Sequence, residues 1–209
     1  MNIVRGFLLG LVLCCAASVA VAAEALVGHY VDHTGSAIKV SLLSNGKGRI
    51  DLGPEAYFLL DGDKIWVVSK YMDDDWTKAD FVARTKQALL ETPGILQKYT
   101  HVGVIDTGYT TEVAGYEGKS FEVTVAGTGE KYMLVLSDDK DVARLSKAIM
   151  IIFQDLNQEP GRRDVVEQIN ASLKADYGVL NLDRELTLQK IERQEYEPAY
   201  FELPAAFKK

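Results

Sequence analysis

Between His29 and Val68 the chain is cut into short runs of alternating apolar and polar residues, separated by turn-forming pairs, and this punctuation constrains the fold most. Ile38, Val40 and Leu42 fall on one side of an extended run and Lys39 and Ser41 on the other, the period of two of a half-buried strand. Asn45-Gly46 follows, and because both residues tolerate positive φ the pair predicts a two-residue hairpin turn. Arg49-Ile50-Asp51-Leu52 resumes the alternation. Tyr57 to Leu60 and Ile65 to Val68, joined by Asp61-Gly62-Asp63, predict a second hairpin whose strands are apolar on both faces.

The period lengthens from Asp73 to Leu90, where Met72, Trp76, Ala79, Val82, Ala83, Leu89 and Leu90 recur at helical spacing. Asp73-Asp74-Asp75 suits the positive end of such a helix, and Thr92-Pro93-Gly94 ends it. Strand patterns return at His101 to Ile105, Thr110 to Val113, Lys119 to Val125 and Lys131 to Leu136. A second helix is predicted over Asp139 to Leu156, with a stripe of Val142, Leu145, Ile149, Ile152, Phe153 and Leu156. Met150 and Ile151 widen its apolar arc, so this helix is deeply buried or covers something apolar. A third helix over Asp164 to Tyr177 and two strands, Val179 to Leu182 and Leu186 to Ile191, complete the pattern. The expectation is an α+β fold, one antiparallel sheet with two or three helices.

The N-terminus bears on the compartment, as a cleavable signal peptide or, in the alternative reading, an uncleaved membrane anchor. Arg5, an apolar stretch from Phe7 to Ala17 and the small residues Ala20-Val21-Ala22-Ala23 have the layout of a cleavable signal peptide. Cleavage after Ala22 or Ala23 is expected, which assigns residues 1–23 to the leader and 24–209 to a single mature domain. The expected location is the periplasm or the medium beyond it, with no stable transmembrane segment after processing. Both cysteines, Cys14 and Cys15, lie in the leader, and neither follows the small residue that a lipid-modified cysteine requires. The mature chain therefore has no disulfide, thiolate metal site or cysteine nucleophile, and its stability must come from a core. The leader carries one arginine and no acid, so its removal takes the net charge from −7 to −8. Such a chain is repelled by phosphate backbones, which argues against nucleic acid as a partner.

No catalytic constellation stands out, and the chain reads as a non-enzyme without a cofactor. His29 and His33, four apart on an extended run, are about 13 Å from each other, too far to share one metal ion. Asp73-Asp74-Asp75 lacks the alternating ligands of a calcium loop. Ala126-Gly127-Thr128-Gly129-Glu130 lacks the spacing and following helix of a phosphate loop and reads as a hairpin turn.

Asp61-Gly62 with Lys64-Ile65-Trp66-Val67, Val113-Ala114-Gly115-Tyr116-Glu117-Gly118-Lys119 leading into Phe121-Glu122-Val123, and the ending Phe201-Glu202-Leu203-Pro204-Ala205-Ala206-Phe207 carry a family likeness. In these segments the chain resembles the periplasmic LolA/LolB-like lipoprotein-carrier superfamily, and within it the DUF4412 group. Ala206 departs from the glycine usual in that ending. The resemblance implies a curved antiparallel sheet, an incomplete β-barrel, with helices covering its concave side. It transfers no functional residue.

Strands apolar on both faces need a second cover, and a ligand held between sheet and helices supplies one. The expected function is a periplasmic carrier holding a lipid or acyl chain. Alternate residues chosen for the concave face are Phe58, Leu60, Trp66, Val68, Met133 and Val135, with Met150 and Phe153 from the covering helix. The other reading is an envelope protein with a solid core that docks on a protein partner.

Overall fold

The computed structural model describes residues 22–54, 56–62, 64–72, 75–80, 102–125, 129–156, 177–183 and 185–204, with backbone alone for 70–72, 75–80, 102, 125 and 151–156. The first half of the sheet comprises β1 (Ala23–Asp32), β2 (Ala37–Leu43), β3 (Gly48–Leu52), β4 (Ala56–Asp61), β5 (Lys64–Met72) and β6 (Asp75–Asp80). Then come β7 (Val102–Val113), β8 (Tyr116–Val125) and β9 (Lys131–Ser137). Helix α1 (Lys140–Leu156), β10 (Gly178–Leu182), β11 (Leu186–Tyr196) and a 3-10 turn (Pro198–Phe201) follow.

All eleven strands join one open sheet in the order β6-β5-β4-β3-β2-β1-β11-β10-β9-β8-β7, and every pairing is antiparallel. The first and last strands meet at its centre, where β1 pairs with β11 from Ala23↔Tyr196 to Asp32↔Leu186. From that seam the strands run outward as two meanders, and among the described residues β6 and β7 are the outermost strands.

Helix α1 lies across β10, β1 and β2. Asp139 caps it, its Oδ1 accepting the amides of Asp141 (2.9 Å) and Val142 (3.1 Å), which satisfies two donors that a helix start leaves open. Val142, Leu145, Ala148 and Ile149 are buried, at the helical spacing expected. They pack on the inner face of the sheet with Leu26 and Tyr30 of β1, Ile38, Val40 and Leu42 of β2, Ile50, Phe58, Leu60 and Ile65 of β3 to β5, and Leu180, Leu186 and Leu188. Two glycines permit this approach. A Cβ on Gly28 would sit 2.8 Å from Leu145, and one on Gly178 would lie 2.4 Å from the backbone of Val142.

The outer face has its own cover. Phe201 packs on Ala25 and Val27, and Leu203 joins Tyr57, Leu59 and Val68. Beside them the Arg49 guanidinium lies 3.6 Å from the Tyr57 ring centroid and 4.3 Å from that of Tyr200, an arrangement that favours a cation over π faces. Asp51 accepts Arg49 Nε at 2.7 Å and the Tyr200 hydroxyl at 2.5 Å, fastening the C-terminal segment to β3. On the other wing Phe121, Val123, Leu134 and Leu136 form a separate buried cluster.

Three expectations need correction. The helix predicted from Asp73 does not begin there: residues 75–80 are β6, in register with β5 at Trp66↔Asp80, Val67↔Ala79 and Val68↔Lys78. The backbone groups along β5 need partners, and a six-residue window holding one large apolar residue cannot fix a helical period against that demand. Residues 81–90 and the third predicted helix, apart from Tyr177, lie outside the described residues, so α1 is the one long helix among those described. The Asn45-Gly46 turn is not a two-residue turn either. The Gly46 amide donates to the Leu43 carbonyl and the Leu43 amide to the Lys47 carbonyl, with positive φ at Gly46 alone, so Ser44 to Gly46 form a three-residue loop. The two-residue turn falls instead at Ala114-Gly115, with φ of 55° and 82°, where Val113 pairs with Tyr116. The third correction is the facing of the second hairpin.

Candidate functional site

The eight residues chosen from the sequence do not line one cavity. In the β4–β5 hairpin Phe58 pairs with Val67 and Leu59 with Trp66, so Phe58, Leu60, Ile65 and Val67 face inward while Tyr57, Leu59, Trp66 and Val68 face outward. Trp66 and Val68 therefore lie on the opposite side of the sheet from Phe58 and Leu60. Tyr57 to Leu60 and Ile65 to Val68 are apolar at every position, so alternation left their relative register undetermined, and cross-strand pairing decides it. Phe58 and Leu60 are buried in the core beneath α1.

Met133, Val135 and Met150 are differently placed. Met133 and Val135 alternate with Leu134 and Leu136, which belong to the outer cluster, so the first two share the inner face. Val135 packs against the edge of the main core. Met150 is half-buried, one turn beyond Ser146, whose Oγ accepts the Val179 amide of β10 at 2.6 Å. It therefore stands on the side of α1 that faces β10 and the β7 to β9 wing beyond. Phe153 lies within α1, with its side chain outside the described set.

Part of the inner face of this wing carries exposed side chains among the described residues. A cross-strand row runs Ile105, Glu122, Met133 through β7, β8 and β9. Ile105 is 57% and Met133 41% exposed, although both sit on the face that is filled by side chains under α1. Glu122 between them accepts Lys131 Nζ at 2.7 Å, which neutralises the middle of the row. The result is a ledge beside the core on which two exposed apolar side chains flank an ion pair. Ile105 was missed in the choice of site residues: Val104 and Ile105 are both apolar, so the sequence does not mark which of them faces inward, and the pairing Ile105↔Glu122 decides it.

Elsewhere polar groups serve the fold. His29 Nε2 lies 2.9 Å from Glu192 Oε1 across the β1–β11 seam, and the hydrogen bonds from Lys190 and His29 hold the Glu192 carboxyl below its ordinary pKa. Among the described residues no three His, Cys, Asp or Glu side chains converge as metal ligands would. No helix among them is long and apolar enough to cross a membrane. The chain matches no family model, and no curated protein is similar to it.

Proposed function

We propose that this chain is an exported binding protein that carries an apolar ligand, an acyl chain or lipid, on the inner side of a curved sheet of the incomplete-barrel kind. The observation that carries the reading is the ledge: Ile105 and Met133 are exposed in line, next to partly buried Val135, on a face otherwise filled by a core. An acyl chain laid there gains about 0.8 kcal/mol for each methylene removed from water and needs no charged anchor. Export is supported by the leader and by the position of β1, which starts at Ala23, so cleavage after Ala22 leaves β1 whole and cleavage after Ala23 removes only its first residue. The experiment is native mass spectrometry of protein recovered from the periplasm, followed by lipid extraction. The expected species begins at Ala23 or Glu24 and carries the added mass of a lipid. Protein that is ligand-free and binds no acyl probe would overturn the carrier reading.

A second reading is favoured by the filled core under α1 and by the length of β7, twelve residues that end the sheet among the described residues, with Tyr109 75% exposed. In it the chain is an envelope interaction protein, and an added strand pairs with that edge. A photo-crosslinker at Tyr109 that captures one envelope protein in cells, with no lipid in the purified chain, decides for it.

A further inference from the structure

Where β1 begins, β2 ends and the first turns of α1 pass over them, the surface holds a recess of about 370 Å3. Leu26 and Leu42, both part of the buried core, line its apolar part. Arg144 of α1 and Arg193 of β11 also line it, together with Ala23 and Glu24. Two guanidinium groups over an apolar floor are an uncommon pairing on a chain of net charge −7.

The two arginines are not equivalent. Arg193 is held between Asp141 (3.2 Å) and Glu24 (3.6 Å), which balance its charge and fix its position. Arg144 donates through Nη2 to the Leu43 carbonyl at 3.4 Å and, among the described residues, pairs with no carboxylate. A guanidinium carries five donors in a planar fork that matches an oxyanion, so most of the Arg144 fork is open to a ligand. Processing adds a further charge. Ala23 and Glu24 both line the recess, so cleavage after either Ala22 or Ala23 places the new α-ammonium on its wall.

We infer that this recess binds a carboxylate or phosphate bearing a short apolar group, and that removal of the leader completes the site. Arg144 takes the oxyanion, the new α-ammonium stands beside it, and the apolar group lies on Leu26 and Leu42. The second half of the inference rests on cleavage at the expected position. The site is separate from the ledge on the β7 to β9 wing and does not depend on it.

The test uses processed full-length protein, labelled for amide NMR and titrated separately with inorganic phosphate and with octanoate below its micelle concentration. Shifts centred on the amides of Leu43 to Asn45 are expected with both. Tighter binding of octanoate assigns the site to an amphiphile, whereas equal binding assigns it to the free anion. Arg144→Gln should weaken binding about tenfold or more, the loss of a charge-assisted hydrogen bond. Lys147→Gln, the same charge change at an exposed position outside the recess, should leave binding unchanged. Equal loss in the two variants, or no shift at Leu43 to Asn45 with either ligand, would overturn the proposal. Protein with a short extension ahead of Ala23 should bind more weakly, and identical affinity would remove the α-ammonium from the site.

Discussion

Gly178 lies where a side chain has no room, because a Cβ there would meet the Val142 carbonyl carbon at 2.4 Å and the Ala143 nitrogen at 2.5 Å. Backbone cannot rotate aside, so Gly178→Ala should lose about 2–3 kcal/mol in urea unfolding, the upper range for overpacking. Gly28→Ala should cost less, since its contacts are the movable ends of Leu145 and Tyr30. Ala114 presents the opposite case. It occupies the left-handed region at φ 55° in the Ala114-Gly115 turn, so Ala114→Asn should raise stability by about 1 kcal/mol without changing any packing. Tyr30 tests the polar interior: its hydroxyl is buried with no well-aligned hydrogen bond among the described residues, beside a Ser146 Oγ already engaged with Val179. Burial pushes the Tyr30 pKa far up, and those of Tyr57, Tyr116 and Tyr200 rise for the same leading reason. The unfolded chain then ionises first, so stability is whole below a pH of about 10 and falls as pH rises beyond it. Tyr30→Phe should be neutral or stabilising by up to about 1 kcal/mol at pH 7 and should reduce the alkaline loss; urea midpoints at the two pH values check both.

At the scale of elements, legibility followed how far each element depends on its own residues. Helix α1 was legible because its cap, stripe and length are local, and the structure places it over Lys140–Leu156 against the expected Asp139 to Leu156. The strands of the β7 to β9 wing were legible where polar residues alternate, as in Ser120 to Val125. Strand β6 was not, since it exists by pairing with β5, and a helical reading of the same residues satisfied every local rule. The facing of β5 was hidden for a related reason: Ile65 to Val68 has no polar residue to mark a side. The outer cover was half visible. The apolar excess of β4 and β5 called for a second layer, and that layer includes the Phe201 to Leu203 segment, twelve dozen residues away in sequence and bound by Arg49 and Asp51. Phe201→Ala should therefore destabilise the whole sheet, by about 3 kcal/mol on removing a buried ring, and not merely fray the C-terminus. Thermal unfolding followed by circular dichroism would show one lowered transition; an unchanged midpoint with a mobile tail would separate that segment from the core.

For the whole molecule, the seam between β1 and β11 places the first and last strands in the centre of the sheet, so the inner core closes only when residues 23–32 and 186–196 meet. That core is full of side chains from β1 to β5, which leaves the ledge at Ile105 and Met133 as the place where an acyl chain adds contact without displacing anything. The binding prediction therefore differs from one based on alternation alone. Met133→Asp and Ile105→Asp replace exposed side chains, so both variants should fold with unchanged melting temperature. Each puts a carboxylate against the chain of a bound ligand, and affinity for a fluorescent fatty-acid probe should drop about tenfold or more, a loss of at least 1.4 kcal/mol. Trp66→Asp should do the reverse: Trp66 packs with Leu59 and Val68 on the outer face, so the variant loses stability while the fraction that remains folded keeps its probe affinity. Titrations at a temperature where all three variants are folded separate the two effects. Loss of binding in Trp66→Asp together with unchanged binding in Met133→Asp would move the ligand to the outer face and end the ledge as the site.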